Sequence, residues 1–169
     1  MASTIRSREE HEITLRFVAE PTDENIYGKV HGGAVMKWID QAGYACAVGW
    51  SGRACVTVYV GGIRFHKPIV IGHLVEVRAR LIHTGRTSMH IAVDVSSTDL
   101  RTGYRAPTTH CVIVFVALDG SGQPVEVPVW KPRTDAGKAL QGYAQRLLAL
   151  SRNLEEEMQP HLPQASADA

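Results

Sequence analysis

GGAVMKWIDQAGYACAVGW, from Gly32 to Trp50, is the stretch that decides the fold. Ala34, Val35, Met36, Trp38, Ile39, Ala42, Tyr44, Ala45, Cys46, Ala47 and Val48 point in nearly every direction of a helical wheel. A helix that is apolar all round is a buried helix. Its charged groups are Lys37 and Asp40, and Gly49 and Gly52 supply the stop.

Beyond this helix the period changes to two. Cys55 to Val60, continued by Gly61-Gly-Ile-Arg-Phe65, is a β-branched and aromatic run in which the glycine pair suggests a bulge or a close backbone approach. Leu74 to His83 alternates Val75, Val77, Ala79 and Leu81 with Glu76, Arg78 and Arg80. Ser88 to Ser97 alternates again, and the VIVFVAL run inside Tyr104 to Leu118 predicts burial on both faces. Before the helix, Glu12 to Val18 reads as a first strand, followed by a long polar connection from Ala19 to His31. Loops of that length are often functional.

One strand, one buried helix and at least four long antiparallel strands define an α+β domain. A lone apolar helix must be covered over most of its surface, and the simplest cover is a curved antiparallel sheet wrapped around it. The sheet edge and the far side of the helix then remain open, so dimerisation through edge strands is expected. Thr134 or Asp135 caps a further helix running to about Met158, with Leu140, Tyr143, Leu147, Leu150 and Leu154 at steps of three and four. That helix either lies on its own domain or pairs with another subunit. The expected organisation is a flexible tail at 1–10, the main domain at 11–130, the C-terminal helix at 131–158 and a disordered tail at 159–169.

The chain has 169 residues, 44% of them hydrophobic and 21% charged, which is the composition of a globular domain. Its 18 basic and 17 acidic residues leave a net charge of +1, so no global field favours nucleic acid or an anionic membrane. No stretch approaches the roughly 18 apolar residues that cross a bilayer, and Met1 to His11 lacks the apolar core of a secretory signal. Cys46, Cys55 and Cys111 are too few and too scattered for a disulfide framework and read as small buried hydrophobes in a reducing cytoplasm. His66, His73, His83, His90 and His110 share no ligand spacing with Cys, Asp or Glu, so no metal is expected.

Chemistry concentrates in Asn25 to Asp40. Gly32 and Gly33 open a buried helix, so its free N–H groups and positive dipole end can approach a ligand. Asp40 lies two turns inside, and a carboxylate on an apolar helix is costly unless paired or used. Residue chemistry alone leaves open a simple ion pair with Lys37 at i, i+3.

This segment resembles the active-site region of the hotdog-fold acyl-CoA thioesterases, and within them the cytosolic acyl-CoA hydrolase branch. There an Asn-x-x-Gly-x-x-x-Gly-Gly stretch opens the central helix and an Asp follows. The matching residues are Asn25, Gly28, Gly32, Gly33 and Asp40. Phe65-His66-Lys67-Pro68 and Thr84-Gly85-Arg86-Thr87-Ser88 also look like the family, and the similarity spans roughly residues 12 to 128. His31-Gly32-Gly33 followed by Asp40 is shared with the phenylacetate-type thioesterases of the same fold, whereas Asn25 and Phe65 to Pro68 favour the cytosolic branch. Human-type members of that branch fuse two hotdog domains, so this single-domain chain is expected to build its second half-site by self-association.

The resemblance implies hydrolysis of fatty acyl-CoA to free acid and coenzyme A. It implies a site shared between subunits, with Asn25 of one facing Asp40 of the other, and a Gly33 N–H stabilising the oxyanion. Asp40 is general base or direct nucleophile; both remain open. Coenzyme A would be held by Gly32, Arg64, Lys67 and the turn Thr84, Gly85, Arg86, Thr87 and Ser88, although Arg86 also reads as a solvated hairpin tip. No cofactor is required, since coenzyme A belongs to substrate and product. A homodimer is the minimum assembly, trimers of dimers are common in the family, and the setting implied is cytoplasmic lipid metabolism. The alternatives are a hotdog dehydratase or hydratase, disfavoured because no His follows Asp40 on the helix, and a non-catalytic acyl-CoA binding or sensing module, which would not need Asn25 and Asp40.

Overall fold

The computed structural model describes residues 11–163. The tail expected at 1–10 and the end of the chain at 164–169 lie outside the described residues. Two compact units meet at the Lys131/Pro132 boundary.

The first unit is built from β1 (Glu12–Val18), a 3-10 turn (Pro21–Asp23), α1 (Gly32–Ser51), β2 (Ala54–Phe65), β3 (Leu74–Thr84), β4 (Ser88–Thr98) and β5 (Arg105–Leu118). The strands form one sheet in the order β1-β3-β4-β5-β2, every neighbouring pair antiparallel. α1 packs against all five strands. This is the hotdog fold that the lone apolar helix and the alternating strands predict.

The core lies between α1 and the inner face of the sheet. Val35, Trp38, Ile39, Ala42, Gly43, Cys46 and Ala47 form the buried stripe of the helix. Val75, Val77, Ala79 and Leu81 of β3, Met89, Ile91, Val93 and Val95 of β4, and Cys111, Ile113, Phe115 and Ala117 of β5 complete it, each no more than 1% exposed. Gly43 is the point of closest approach. A Cβ built there would stand 2.8 Å from the Phe115 ring and 2.9 Å from Ile113 Cγ2, so a side chain would push the helix off the sheet. β5 is buried on both faces through Val112 and Val114, in keeping with its unbroken apolar run.

The far side of the helix stands open, as a single sheet wrapped around it predicts. Met36 and Tyr44 are each 46% exposed, and Lys37, Asp40 and Gln41 between them are also open. A five-stranded sheet wraps one side of a helix, and among the described residues of this unit the other side is left open. β2, at the sheet edge beside this open face, leaves Val56, Val58 and Val60 exposed. Register shifts occur in β2 between Thr57 and Tyr59 and between Gly61 and Arg64. Gly62 at φ 66° supplies the second, and the Tyr59 ring lies against Gly61, where a Cβ would clash. The glycine pair therefore gives both a bulge and a close approach.

The second unit consists of α2 (Asp135–Met158) and a 3-10 turn (Gln159–His161). Thr134 caps α2, its hydroxyl accepting from the Gly137 N–H at 3.0 Å. Leu150, Leu154 and Met158 leave an exposed apolar row at steps of four. The 3-10 turn stands where the sequence predicts the start of a disordered tail. Pro160 within it fixes φ and favours one further turn after the helix.

Candidate active site

The Ala19 to His31 connection is more ordered than its composition suggests. Glu24 and Val30 form an isolated antiparallel bridge, and Lys29 bridges to Val70. Asn25 closes the tip. Its backbone N–H donates to Lys29 O at 2.7 Å, and its side-chain Oδ1 accepts from the N–H of Tyr27 at 2.9 Å and of Lys29 at 3.2 Å. Both partners are donors, so the atom facing them is the amide oxygen, and Nδ2 is left to bind something else. Ile26 and Tyr27 project from this tip, 91% and 79% exposed.

The chain then enters α1 through His31. His31 O accepts from the N–H of Ala34 and Val35, and His31 Nδ1 accepts from the Gly33 N–H at 3.2 Å. The Gly33 amide, assigned to an oxyanion from the sequence, is thus occupied by an exposed N-cap side chain. Gly32 sits against the Phe65 ring, with 3.8 Å from a built Cβ to Cζ. Together with Val30, Val35, His66, Lys67, Pro68, Ile69 and Thr109 these two residues line a cavity of about 260 Å³.

Asp40 lies two turns along, exposed on the open face of α1. Its Oδ1 accepts from Thr57 Oγ1 of β2 at 2.5 Å. Among the described residues no ion pair joins Asp40 to Lys37, so the bland reading of a neutralised carboxylate does not hold. Thr57 was invisible to sequence reasoning because a Thr in the run Cys-Val-Thr-Val-Tyr-Val reads only as strand-forming. Asn25 and Asp40 of one chain make no hydrogen bond with each other among the described residues.

The residues expected to hold coenzyme A fall into two groups. Gly32 and Lys67 share the cavity; Lys67 Nζ also donates to Tyr104 Oη at 3.3 Å and lies 5.9 Å from that ring's centroid. Arg64 is on β2 opposite His110, exposed. The Thr84–Ser88 turn is elsewhere. Arg86 O accepts from Val127 N–H, and Trp50 Nε1 donates to Pro128 O, so this turn sits near the C-terminal end of α1. The helix has 20 residues, so about 30 Å of its length separates that end from Gly32. Thr84 Oγ1 is committed to the Trp130 N–H at 3.0 Å. Arg86 remains available: its contact with Glu126 is 3.9 Å and both side chains are at least 75% exposed. The turn cannot serve the Gly32 end of its own helix.

Other titratable groups are structural in character. The His110 hydrogen bond at 2.7 Å, with a second from Arg80, holds the Asp94 carboxyl below its ordinary range despite burial. Burial pushes the Cys46 and Cys111 thiols up to about 12, which keeps them protonated. His83 and His90 face each other across β3 and β4 with ring centroids 5.2 Å apart. Among the described residues no cluster of three His, Cys, Asp or Glu could hold a metal ion.

The thioesterase superfamily matches residues 27–104, the span from the Asn25 loop through β4. The fold and its likeness to known proteins define the class: a hotdog thioesterase. Acyl-CoA thioester hydrolase YciA of Salmonella typhimurium is 32% identical over 130 residues, covering 75% of this chain and 98% of that protein. The crystal structure of an apo-hexameric acyl-CoA thioesterase superposes with a TM-score of 0.80 at 31% identity, covering 92% of this chain and 96% of that one. An acyl-CoA hydrolase from Staphylococcus aureus, solved with butyryl coenzyme A and coenzyme A, gives a TM-score of 0.80 at 25% identity, covering 90% and 94%. Variants of that hydrolase at one Asn, one Asp and one Thr have been solved, and the three positions are spaced as Asn25, Asp40 and Thr57 are here. The chain belongs to the acyl-CoA thioester hydrolases of the thioesterase superfamily.

Proposed function

We propose that this protein hydrolyses acyl-CoA to a free acid and coenzyme A in a site shared by two subunits, with Asp40 as general base. The observation that carries the reading is the state of Asp40: accessible, oriented by Thr57, without an ion pair to Lys37 among the described residues, and placed on an exposed face of α1.

That face asks for a partner. Met36, Tyr44, Val56, Val58 and Val60 are apolar and exposed, and β2 offers an unpaired edge. Antiparallel pairing of two β2 strands would continue the sheet across a two-fold axis and bring the loop tip of one subunit, Asn25 with the projecting Ile26 and Tyr27, to the other's helix. The same two-fold would carry the Thr84–Ser88 turn of the partner subunit toward the Gly32 end of this chain's helix. Arg86 of the partner subunit then takes a phosphate of coenzyme A, with Arg64 and Lys67 adding charge from this side.

The reaction needs no group beyond these and water. The thioester oxygen replaces His31 Nδ1 on the Gly33 N–H, a donor of the kind worth about 3–4 kcal/mol to an oxyanion. Asn25 Nδ2, the one donor its loop does not use, orients the water or the carbonyl. Asp40 takes a proton from the water as its oxygen bonds to the thioester carbon. The tetrahedral adduct collapses, the C–S bond breaks, and the thiolate leaves and is reprotonated by Asp40. A cytoplasmic setting is supported by three free, buried cysteines, and among the described residues no helix is long and apolar enough to cross a membrane. Three related enzymes are named as hexamers, and for this chain the corresponding assembly would be three such dimers.

The test is thiol release from a panel running from acetyl- to palmitoyl-CoA. Wild type should turn over part of the panel, and Asp40→Asn should remain an oligomer with the rate at least about a hundredfold lower. Tight acyl-CoA binding with no thiol released by wild type would make the protein a sensing module instead.

A further inference from the structure

Thr109 is 4% exposed, sits in the middle of the sheet between Phe65 of β2 and Val95 of β4, and lines the 260 Å³ cavity that Gly32 opens onto. Its neighbour Thr108 is equally buried and has spent its hydroxyl on Val95 O at 3.1 Å. Buried Ser97 is likewise satisfied, by His73 Nδ1 at 2.9 Å. The Thr109 hydroxyl has no such partner among the described residues. Among the described residues the sealed polar atoms without a partner are Arg80 Nε and His83 Nδ1, so the Thr109 oxygen is not sealed off and reaches open space beside it. Residues on β5 alternate, and Thr109 continues the inward series of Cys111, Ile113 and Phe115, toward the helix. Val30, Val35, Phe65, Pro68 and Ile69 make apolar walls, and His66 and Lys67 also line the cavity. A largely apolar pocket with a few convergent polar groups is the pattern of a site that fixes a ligand's orientation.

We infer that Thr109 is a substrate-positioning residue, its hydroxyl binding an oxygen of the acyl-CoA close to the thioester. The inference rests on the thioesterase reading above. The cavity volume lies below the roughly 300 Å³ at which pockets begin to enclose a drug-sized ligand, so it takes a short segment of substrate and not a long chain. Two parts of an acyl-CoA offer an oxygen at that reach: an amide carbonyl of the pantetheine arm on the sulfur side, and a hydroxyl or keto group at the third carbon on the acyl side. Both would meet the same donor and acceptor. Thr109 acts through position alone, since Asp40 and the helix amides supply the chemistry.

The experiment compares wild type with Thr109→Val, which keeps the shape and removes the hydroxyl, and Thr109→Ser, which keeps the hydroxyl. Substrates are butyryl-CoA and 3-hydroxybutyryl-CoA, with free coenzyme A as inhibitor. Thr109→Val should raise KM about tenfold with kcat within about threefold, and Thr109→Ser should restore KM to near the wild-type value. A KM rise for both substrates, with weaker inhibition by coenzyme A, places the bonded oxygen in the pantetheine arm. A rise confined to 3-hydroxybutyryl-CoA places it on the acyl group. Thermal unfolding separates this from a structural role: Thr109→Val should melt close to the wild-type temperature, because the hydroxyl bonds nothing among the described residues. A KM within twofold of wild type on both substrates, or a lower melting temperature that Thr109→Ser repairs without any KM change, overturns the inference and leaves the thioesterase reading intact. Absence of thiol release by wild type overturns both.

Discussion

Thr57 Oγ1 on the edge strand donates to Asp40 Oδ1 on the central helix at 2.5 Å. The bond links the element that would meet a partner subunit to the carboxylate that would activate water. It also fixes which oxygen of Asp40 is engaged, leaving Oδ2 for the water. Hydrogen bonds to a charged group are worth roughly 1.5–3 kcal/mol. Thr57→Val should therefore lower kcat about tenfold to a hundredfold with little change in KM, and Thr57→Ser should recover most of it. Steady-state kinetics on one good acyl-CoA is the check; an unaltered kcat in Thr57→Val would remove the residue from the site.

Substitution can separate the structural contact of Asn25 from its proposed role. Its oxygen closes the loop tip on the amides of Tyr27 and Lys29, and its NH2 is the group that the proposed mechanism offers to substrate. Asn25→Asp keeps the acceptor and loses the donor, so it should hold the wild-type melting temperature while turnover falls. Asn25→Ala loses both and should be less stable as well, by about 1 kcal/mol. Equal activity in Asn25→Asp and wild type would show that the NH2 is not used.

Arg86 is exposed and only loosely paired, so its removal should leave stability unchanged. Arg86→Ala should raise KM for acyl-CoA about tenfold, yet leave the hydrolysis of an N-acetylcysteamine thioester, which has no phosphate, as it was. A KM shift common to both substrates would mean that Arg86 acts through the fold.

Stability should fall between neutral and mildly acidic pH because of the His83–His90 pair. Burial, with a smaller effect of His83, pushes the His90 imidazole down to about 4, and burial lowers His83 too. An imidazole whose folded value is depressed is neutral in the fold and takes up a proton more readily when unfolded. Its stabilising effect is complete above about pH 6.5 and is lost as the pH falls toward 4, by about 3 kcal/mol for His90. The carboxylates held low by Arg and His partners, Glu12, Glu76 and Asp94, act in a separate window below about pH 4. Urea unfolding at fixed protein concentration, at pH 7 and pH 4.5, should show the loss in wild type and a smaller one in His90→Gln. Equal slopes in both proteins would contradict the assignment.

The fold was legible because its signals are local and periodic. The helix from Gly32 and the alternating strands need no partner to be read, and the glycine pair at Gly61 and Gly62 announced the bulge in β2. Asp40 stood out because a carboxylate on an apolar helix is costly without a use, and Asn25 stood out through the family resemblance of its Asn-x-x-Gly-x-x-x-Gly-Gly stretch. What stayed hidden depends on contacts between distant positions. Thr57 meets Asp40 only once β2 lies beside α1, His31 takes the Gly33 amide only through the geometry of the cap, and the Thr84–Ser88 turn lies at the far end of the helix for reasons of topology. That the far side of α1 would look for a partner was legible, but which residues stand on it was not, because apolar residues look alike whether a sheet of the same chain or a second subunit covers them.

The central claim, that Asn25 and Asp40 of different subunits make one site, is tested most directly by mixing two inactive proteins. Asn25→Ala and Asp40→Asn subunits, unfolded and reassembled together in equal amounts, form mixed dimers for about half of the total. In each mixed dimer one site receives both substitutions and the other receives neither, so thiol release should return to about a quarter of the wild-type rate. Recovery no greater than the sum of the two separate variants would place both residues in a site made by one chain, and the shared-site account would be wrong.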